Sequence, residues 1–274
     1  MIFDTNDLIL NTKDYSFTHY KHEGFGGSTK YIAISKSNSI PQKLIVKHNC
    51  EYAATSNGFV FGRVGELLGI KMPKTYMFQI DSNDKHLFES TCVMGMEFIE
   101  GLQAFELSTV ANDSRLLKAY IEYHVLYALL TEFEDGTQMA YVPGDTIYPF
   151  DFDESFSFEK GSFNALLRND YYSEYEISRM LKNVKRNGAI RKLRVCYSVL
   201  CNQFGYDESK TDLPYFFELL ERFCNLTEQE ICSIIDTLLE LFPELIGIYY
   251  EEYIGIMQQS SAEYLKRRSS HTTH

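Results

Sequence analysis

The sequence predicts an α+β protein of two lobes, a small β-rich lobe with one helix over residues 1–100 and a larger helical lobe over residues 101–274. Three observations carry this expectation. Short β-prone runs bounded by turn residues fill much of the first hundred positions. From Ser114 onward apolar residues recur at helical spacing. With 274 residues, 45% hydrophobic and 15% aromatic, the chain holds enough core-forming material for one large domain or two modest lobes.

In the first lobe, Tyr31–Ser35, Lys43–Lys47, Thr75–Ile80 and Thr91–Phe98 read as strands. Between the second and third, Ala53–Leu68 carries Phe59, Val60, Val64, Leu67 and Leu68 at helical spacing, and Gly69 stands where a helix commonly closes. In the second lobe Leu116–Leu130 is long and apolar enough for a buried helix. A polar break over Thr131–Met139 leads to two brief strands, Ala140–Val142 and Ile147–Phe150. Helices then follow at Ser173–Asn187, Ala189–Phe204, Leu213–Phe223, Thr227–Phe242 and Glu244–Arg267. Thr227-Glu228-Gln229-Glu230 forms a capping box, Pro243 stops that helix, and SSHTTH reads as a frayed tail.

Composition narrows the function classes. A net charge of −12 disfavours non-specific binding to nucleic-acid phosphates, while a local basic pocket stays allowed. The six cysteines form no CxxC pair and sit mostly in apolar or helical stretches, as reduced core thiols of a cytoplasmic protein would. MIFDTNDLIL is no signal peptide, and no apolar run approaches the ~18 residues that span a bilayer. A cytoplasmic protein without membrane contact is expected.

Four segments hold candidate chemistry. In Gly24-Phe25-Gly26-Gly27-Ser28-Thr29, glycines let backbone N–H groups approach phosphate oxygens, and a strand follows instead of the helix of a P-loop. The segment reads as a hairpin flap over phosphates or as an ordinary glycine hairpin. Lys47 ends the apolar run Leu44-Ile45-Val46, where it either points into a cleft as a point charge for phosphate or faces solvent. In Phe150-Asp151-Phe152-Asp153-Glu154-Ser155-Phe156, buried phenylalanines would leave Asp151 and Asp153 projecting into one cavity, a hard-oxygen site suited to Mg²⁺; acids on an exposed strand face are the alternative. Glu132, Glu134, Asp135 and Gln138 crowd the break after the long helix, where a carboxylate could orient an attacking hydroxyl and an amide could add a metal ligand.

Together GFGGSTKYIAI, KLIVKH, NGFVFGRVGELLGIKMP, MEFIEG and DFDESF, in that order over residues 20–160, resemble the HipA-like kinases, compact bacterial relatives of the protein-kinase fold. The resemblance implies a two-lobed protein-kinase-like architecture, ATP and Mg²⁺ as cofactors, and transfer of the γ-phosphoryl group to a hydroxyl of a protein or small molecule. It assigns Gly26, Gly27 and Ser28 to the phosphate-covering loop and Lys47 to the phosphates. Glu97-Phe98-Ile99 becomes the hinge, where the backbone of Glu97 and Ile99 pairs with adenine. Asp151 matches the aspartate of the metal motif, with Asp153 in its glycine position. Two departures stand out. Asn57-Gly58 occupies the place where Asn-Glu usually opens the first-lobe helix and supplies the carboxylate that pairs with the lysine. Glu134-Asp135-Gly136-Thr137-Gln138 replaces the usual catalytic loop, leaving Glu134 or Asp135 as base and Gln138 as metal ligand. The alternative these departures support is a catalytically impaired pseudokinase, a nucleotide-binding or protein-interaction module. With Gly58 in place, Glu51, Glu66 and Asp151 are the candidate partners of Lys47, and the expectation is pairing with Asp151.

Overall fold

The computed structural model describes residues 7–20, 29–37, 41–48, 52–88, 92–130, 139–150, 156, 178, 181–182, 184–185, 189–210, 213–242 and 244–271. A six-stranded sheet in the order β1-β5-β6-β4-β3-β2 forms the first part. Its strands are β1 (Ile9–Asn11), β2 (Tyr15–His19), β3 (Thr29–Ser35), β4 (Lys43–His48), β5 (Thr75–Gln79) and β6 (Cys92–Glu97), with α1 (Tyr52–Leu67) between β4 and β5. β1 runs parallel to β5, and every other pairing is antiparallel. The helical part holds α2 (Leu107–Ala111), α3 (Ser114–Leu130), α4 (Ala189–Phe204), α5 (Phe216–Cys224), α6 (Glu228–Leu239) and α7 (Glu244–His271). A hairpin of β7 (Met139–Tyr141) and β8 (Ile147–Pro149) follows α3.

Alternation along the strands gives the sheet two apolar faces. Leu44, Val46, Ala33, Tyr76, Phe78 and Val93 build an outer core with Tyr15, Phe17 and Phe88. Met77, Cys92, Met94 and Met96 point the other way, onto α1 and the helical part. That second core runs without a break from α1 and the sheet through α3 into α4, α5, α6 and α7, so residues on both sides of position 100 share it. α1 approaches β5 closely: a methyl group at Gly62 would sit 2.7 Å from the Thr75 side chain. Gly69 closes α1 at a φ of 72°, where a side chain would be strained.

α1, α3, α4 and the start of α7 match their sequence signals, the helix expected over 173–187 lies largely outside the described residues, and the capping box on α6 is formed by Thr227 and Glu230. Several elements differ, and α7 runs on to His271, into the expected frayed tail. β1 and β2 escape detection because β1 is three residues long and exists through pairing with β5, some 70 positions away. α5 begins at Phe216 instead of Leu213, since Tyr215 takes a left-handed turn with φ 63°. α6 ends at Leu239, and Leu241 and Phe242 fold back in turns onto the Leu238 carbonyl. The described cysteines, Cys92, Cys196, Cys201, Cys224 and Cys232, are free thiols, three of them buried. No helix among the described residues is long and apolar enough to cross a membrane.

α3 is buried along nearly its whole length, including two ionisable side chains. Glu122 is paired with Arg222 of α5. His124 bonds the Tyr120 carbonyl through Nδ1 at 2.9 Å, and burial lowers its pKa to about 4. The unfolded-state value is near 6.5, so the unfolded chain binds the extra proton between those limits. The stability held by neutral His124 is present above about pH 6.5 and is lost as the pH falls towards about 4, by ~3 kcal/mol at most. His124→Asn keeps a donor for the Tyr120 carbonyl but does not titrate. In urea unfolding across pH 4 to 7 (about that range), the variant is expected to show a flatter profile than wild type. Parallel profiles would place the acid sensitivity elsewhere.

Candidate functional site

The candidate site forms on the inner face of β4 and β3. Leu44 and Val46 turn outward into the sheet's outer core, so Lys43, Ile45 and Lys47 turn inward. Ile45 packs against the main core, and Lys47 is only 6% exposed. Burial excludes the solvent-facing reading of Lys47.

Across the strand pair Lys47 stands opposite Lys30, and Ile45 stands opposite Ile32. Opposed residues on antiparallel strands share a face with Cβ atoms roughly 5 Å apart, where like charges repel. Two lysines so placed, one of them buried, fit a polyanion such as a nucleotide's phosphates. Lys30 directly follows Thr29, the end of the glycine-rich segment. Next to the charged pair the face turns apolar through Ile32 and Ile45, with Thr18 opposite Ile32. Along the strand pair the face thus runs from the two lysines through Ile32 and Ile45 to Lys43 opposite Ile34.

Glu97-Phe98-Ile99 closes one end of this face. Glu97 is the last residue of β6; its N–H donates to the Lys74 carbonyl at 2.8 Å, and its carboxylate accepts from the Lys74 N–H at 3.3 Å. The Glu97 N–H is therefore committed to the sheet. Phe98 takes the Lys43 ammonium over its ring at 3.9 Å and the edge of Tyr20 at 6.1 Å. Lys43 also pairs with Glu100 at 2.9 Å. Ile99 is half-buried, and among the described residues no hydrogen bond engages its backbone N–H.

Gly26, Gly27, Ser28, Glu134, Asp135, Gln138, Asp151 and Asp153 lie outside the described residues, as does Glu51. The structure does fix the flanks of two of these stretches. Phe156 donates its N–H to the Leu130 carbonyl at 2.5 Å, joining the residue before 131–138 to the residue after 151–155. At their other ends, Met139 pairs with Pro149 across the β7–β8 hairpin. The described flanks of the two stretches therefore lie beside one another. Among the described residues no cluster of three His, Cys, Asp or Glu side chains could hold a metal ion.

Glu66 is the only carboxylate in α1, and it pairs with Arg63 one turn back on the same helix. It does not serve Lys47. Pairing between Lys47 and Asp151 or Glu51 falls outside the described residues. Lys30 and Phe156 are missed by sequence reasoning. Lys30 becomes visible only once the β3–β4 register is known, and Phe156 looks like one more core aromatic until its backbone contacts appear.

No protein-family model matches the chain, and no curated protein matches its sequence. Solved structures do match. The proinflammatory kinase CtkA of Helicobacter pylori superposes with a TM-score of 0.58 at 12% identity, over 93% of this chain and 96% of that one. The chain has the fold of a kinase. A weaker superposition, TM-score 0.47 at 11% identity, is with HipA of Shewanella oneidensis MR-1, solved with HipB and operator DNA; it covers 89% of this chain and 65% of that one. The α+β, two-part kinase-like architecture is the one the HipA-type motifs predict.

Proposed function

We propose that this protein is an ATP- and Mg²⁺-dependent phosphotransferase of the HipA-like kinase type, moving the γ-phosphoryl group to a hydroxyl of a protein or small molecule. The observation that supports this best is the buried Lys47 facing Lys30 on the inner wall of a kinase fold, directly after a glycine-rich segment. In this reading Lys47 and Lys30 hold the phosphates as point charges. Gly26, Gly27 and Ser28 cover them, and Ile32 and Ile45 line the base. Ile99 offers a backbone N–H to adenine, with Glu97 limited to its carbonyl. Asp151, with Asp153 and Gln138, would ligate Mg²⁺, which when bound neutralises charge on the transferring phosphates. Glu134 or Asp135 would accept the proton of the attacking hydroxyl.

A second reading, nucleotide binding without turnover, is favoured by one feature. Gly58 supplies no carboxylate, and Glu66 is committed to Arg63. A lysine without a helix carboxylate positions phosphates less rigidly. Isothermal titration with ATP, with and without Mg²⁺, followed by transfer from γ-labelled ATP, separates the readings. Binding with transfer supports the phosphotransferase, and binding alone supports the second reading. If neither is seen, both fail. Asp151→Asn keeps the shape of the ligand but loses its charge, so it is expected to remove the Mg²⁺-dependent part of binding, with Asp153→Asn doing less. The reverse order would move the metal ligand to Asp153.

A further inference from the structure

Arg222, in the last turn of α5, ties the end of α1 to the middle of α3. α1 closes through two backbone bonds, from the Gly69 N–H to the Glu66 carbonyl at 2.9 Å and from the Ile70 N–H to the Gly65 carbonyl at 3.0 Å. That closure leaves the Leu68 carbonyl for a donor from elsewhere. Arg222 donates to it through Nη1 and to the Glu122 carboxylate through Nη2. Lys118, one turn earlier on α3, stands 4.0 Å from the same carboxylate oxygen. The Glu122 side chain is 6% exposed, and that of Arg222 is 37% exposed. One partner of the bridge is therefore fixed in the interior, while the other can turn to water.

The charged groups acting on Glu122 are Arg222 and Glu218 of α5 and Lys118 of its own helix, and the end of α1 offers it a carbonyl dipole at Leu68 by way of Arg222. Burial pushes the Glu122 carboxyl above its ordinary value, and the two cations pull it back only in part. We propose that the Glu122–Arg222–Leu68 bridge is a pH-sensitive latch, which holds the end of α1 to the helical part while Glu122 is ionised and lets go when Glu122 takes up a proton. Protonation turns a charge-assisted hydrogen bond into a neutral one of about half the strength. The guanidinium keeps its charge and is better hydrated at the surface than beside a neutral acid. The sign separates this event from unfolding. The folded-state value is the raised one, so the folded chain takes up this proton before the unfolded chain does, and Glu122 costs no global stability as the pH falls. His124 acts in the opposite sense, since its protonation is resisted by the fold.

Amide hydrogen exchange of the full-length protein, expressed as protection relative to unstructured peptide, reads the latch at Gly69 and Ile70 and the global fold at Leu193 and Leu200 of α4. From about pH 7 to about pH 5, protection of Gly69 and Ile70 is expected to fall about tenfold, the equivalent of weakening one charge-assisted hydrogen bond. Leu193 and Leu200 should keep theirs within about twofold. Glu122→Gln keeps the shape and cannot ionise, so it should show the low protection at both pH values. Arg222→Met should do the same. His124→Asn, which removes the nearby histidine titration, should keep the wild-type response. Wild-type protection of Gly69 and Ile70 in Glu122→Gln at neutral pH, a pH response that survives in that variant, or one abolished in His124→Asn overturns the proposal. Where neither bridge variant folds, the wild type alone decides: unchanged protection at Gly69 and Ile70, or an equal fall at Leu193 and Leu200, rules the latch out.

Discussion

Lys47→Met is expected to weaken MgATP binding by about tenfold to a hundredfold, since one or two charge-assisted hydrogen bonds contribute ~1.5–3 kcal/mol. Methionine keeps most of the lysine's length and apolar stem, so the packing of this 6% exposed side chain survives the change. What is lost is the ammonium. Lys30→Gln, opposite it on β3, is expected to cost less, about threefold to tenfold, because Lys30 is the more exposed of the pair and its charge is better screened. Both losses should scale with the number of phosphates. Adenosine should bind variants and wild type alike, AMP should discriminate weakly, and ATP most. If adenosine affinity falls as much as ATP affinity, the lysines support the structure of the pocket and do not bind phosphate. If ATP affinity is unchanged in Lys47→Met, the phosphate site is not on this face of the sheet.

What the sequence disclosed follows from how each feature is encoded. α4, Ala189–Phe204, is legible to the residue because helical periodicity is a local property repeated over several turns. α3 is legible as a buried helix because apolar residues surround it on all sides. β1 is not legible, since three residues carry no period and its identity lies in Met77, Phe78 and Gln79 opposite. The start of α5 is hidden for a different reason: a left-handed Tyr215 is a tertiary outcome that tyrosine's own preferences oppose. At the site, Lys47 is legible as the charged end of an apolar strand. Its burial and its neighbour Lys30 are not, because both depend on a cross-strand register that single-chain spacing leaves open. The missing carboxylate is legible at Gly58, whereas the commitment of Glu66 to Arg63 needs the folded helix.

Phe156→Ala is expected to destabilise the protein by about 3–5 kcal/mol, the cost of emptying a fully buried aromatic site. The ring has no solvent exposure and lies edge-on against Tyr250 and Tyr253. Alanine would remove both contacts and leave a cavity between α3 and α7. The backbone adds a second, opposite term. Phe156 has φ 59°, a left-handed conformation that costs a bulky residue about 1–2 kcal/mol and glycine almost nothing. It is held there by the N–H donated to Leu130 and the carbonyl bonded by Tyr249. Phe156→Gly should therefore be no less stable than Phe156→Ala, against the usual order in which glycine is the worse replacement because it loses more chain entropy. Phe156→Leu, which refills part of the cavity but keeps the strain, should fall between alanine and wild type. Equilibrium denaturation of the three variants gives the ranking directly. A loss below about 1 kcal/mol for alanine would show that the ring is not packed between α3 and α7. A glycine variant clearly weaker than alanine would mean that residue 156 does not adopt the left-handed turn, and the hydrogen bond between Phe156 and Leu130 would be in question with it.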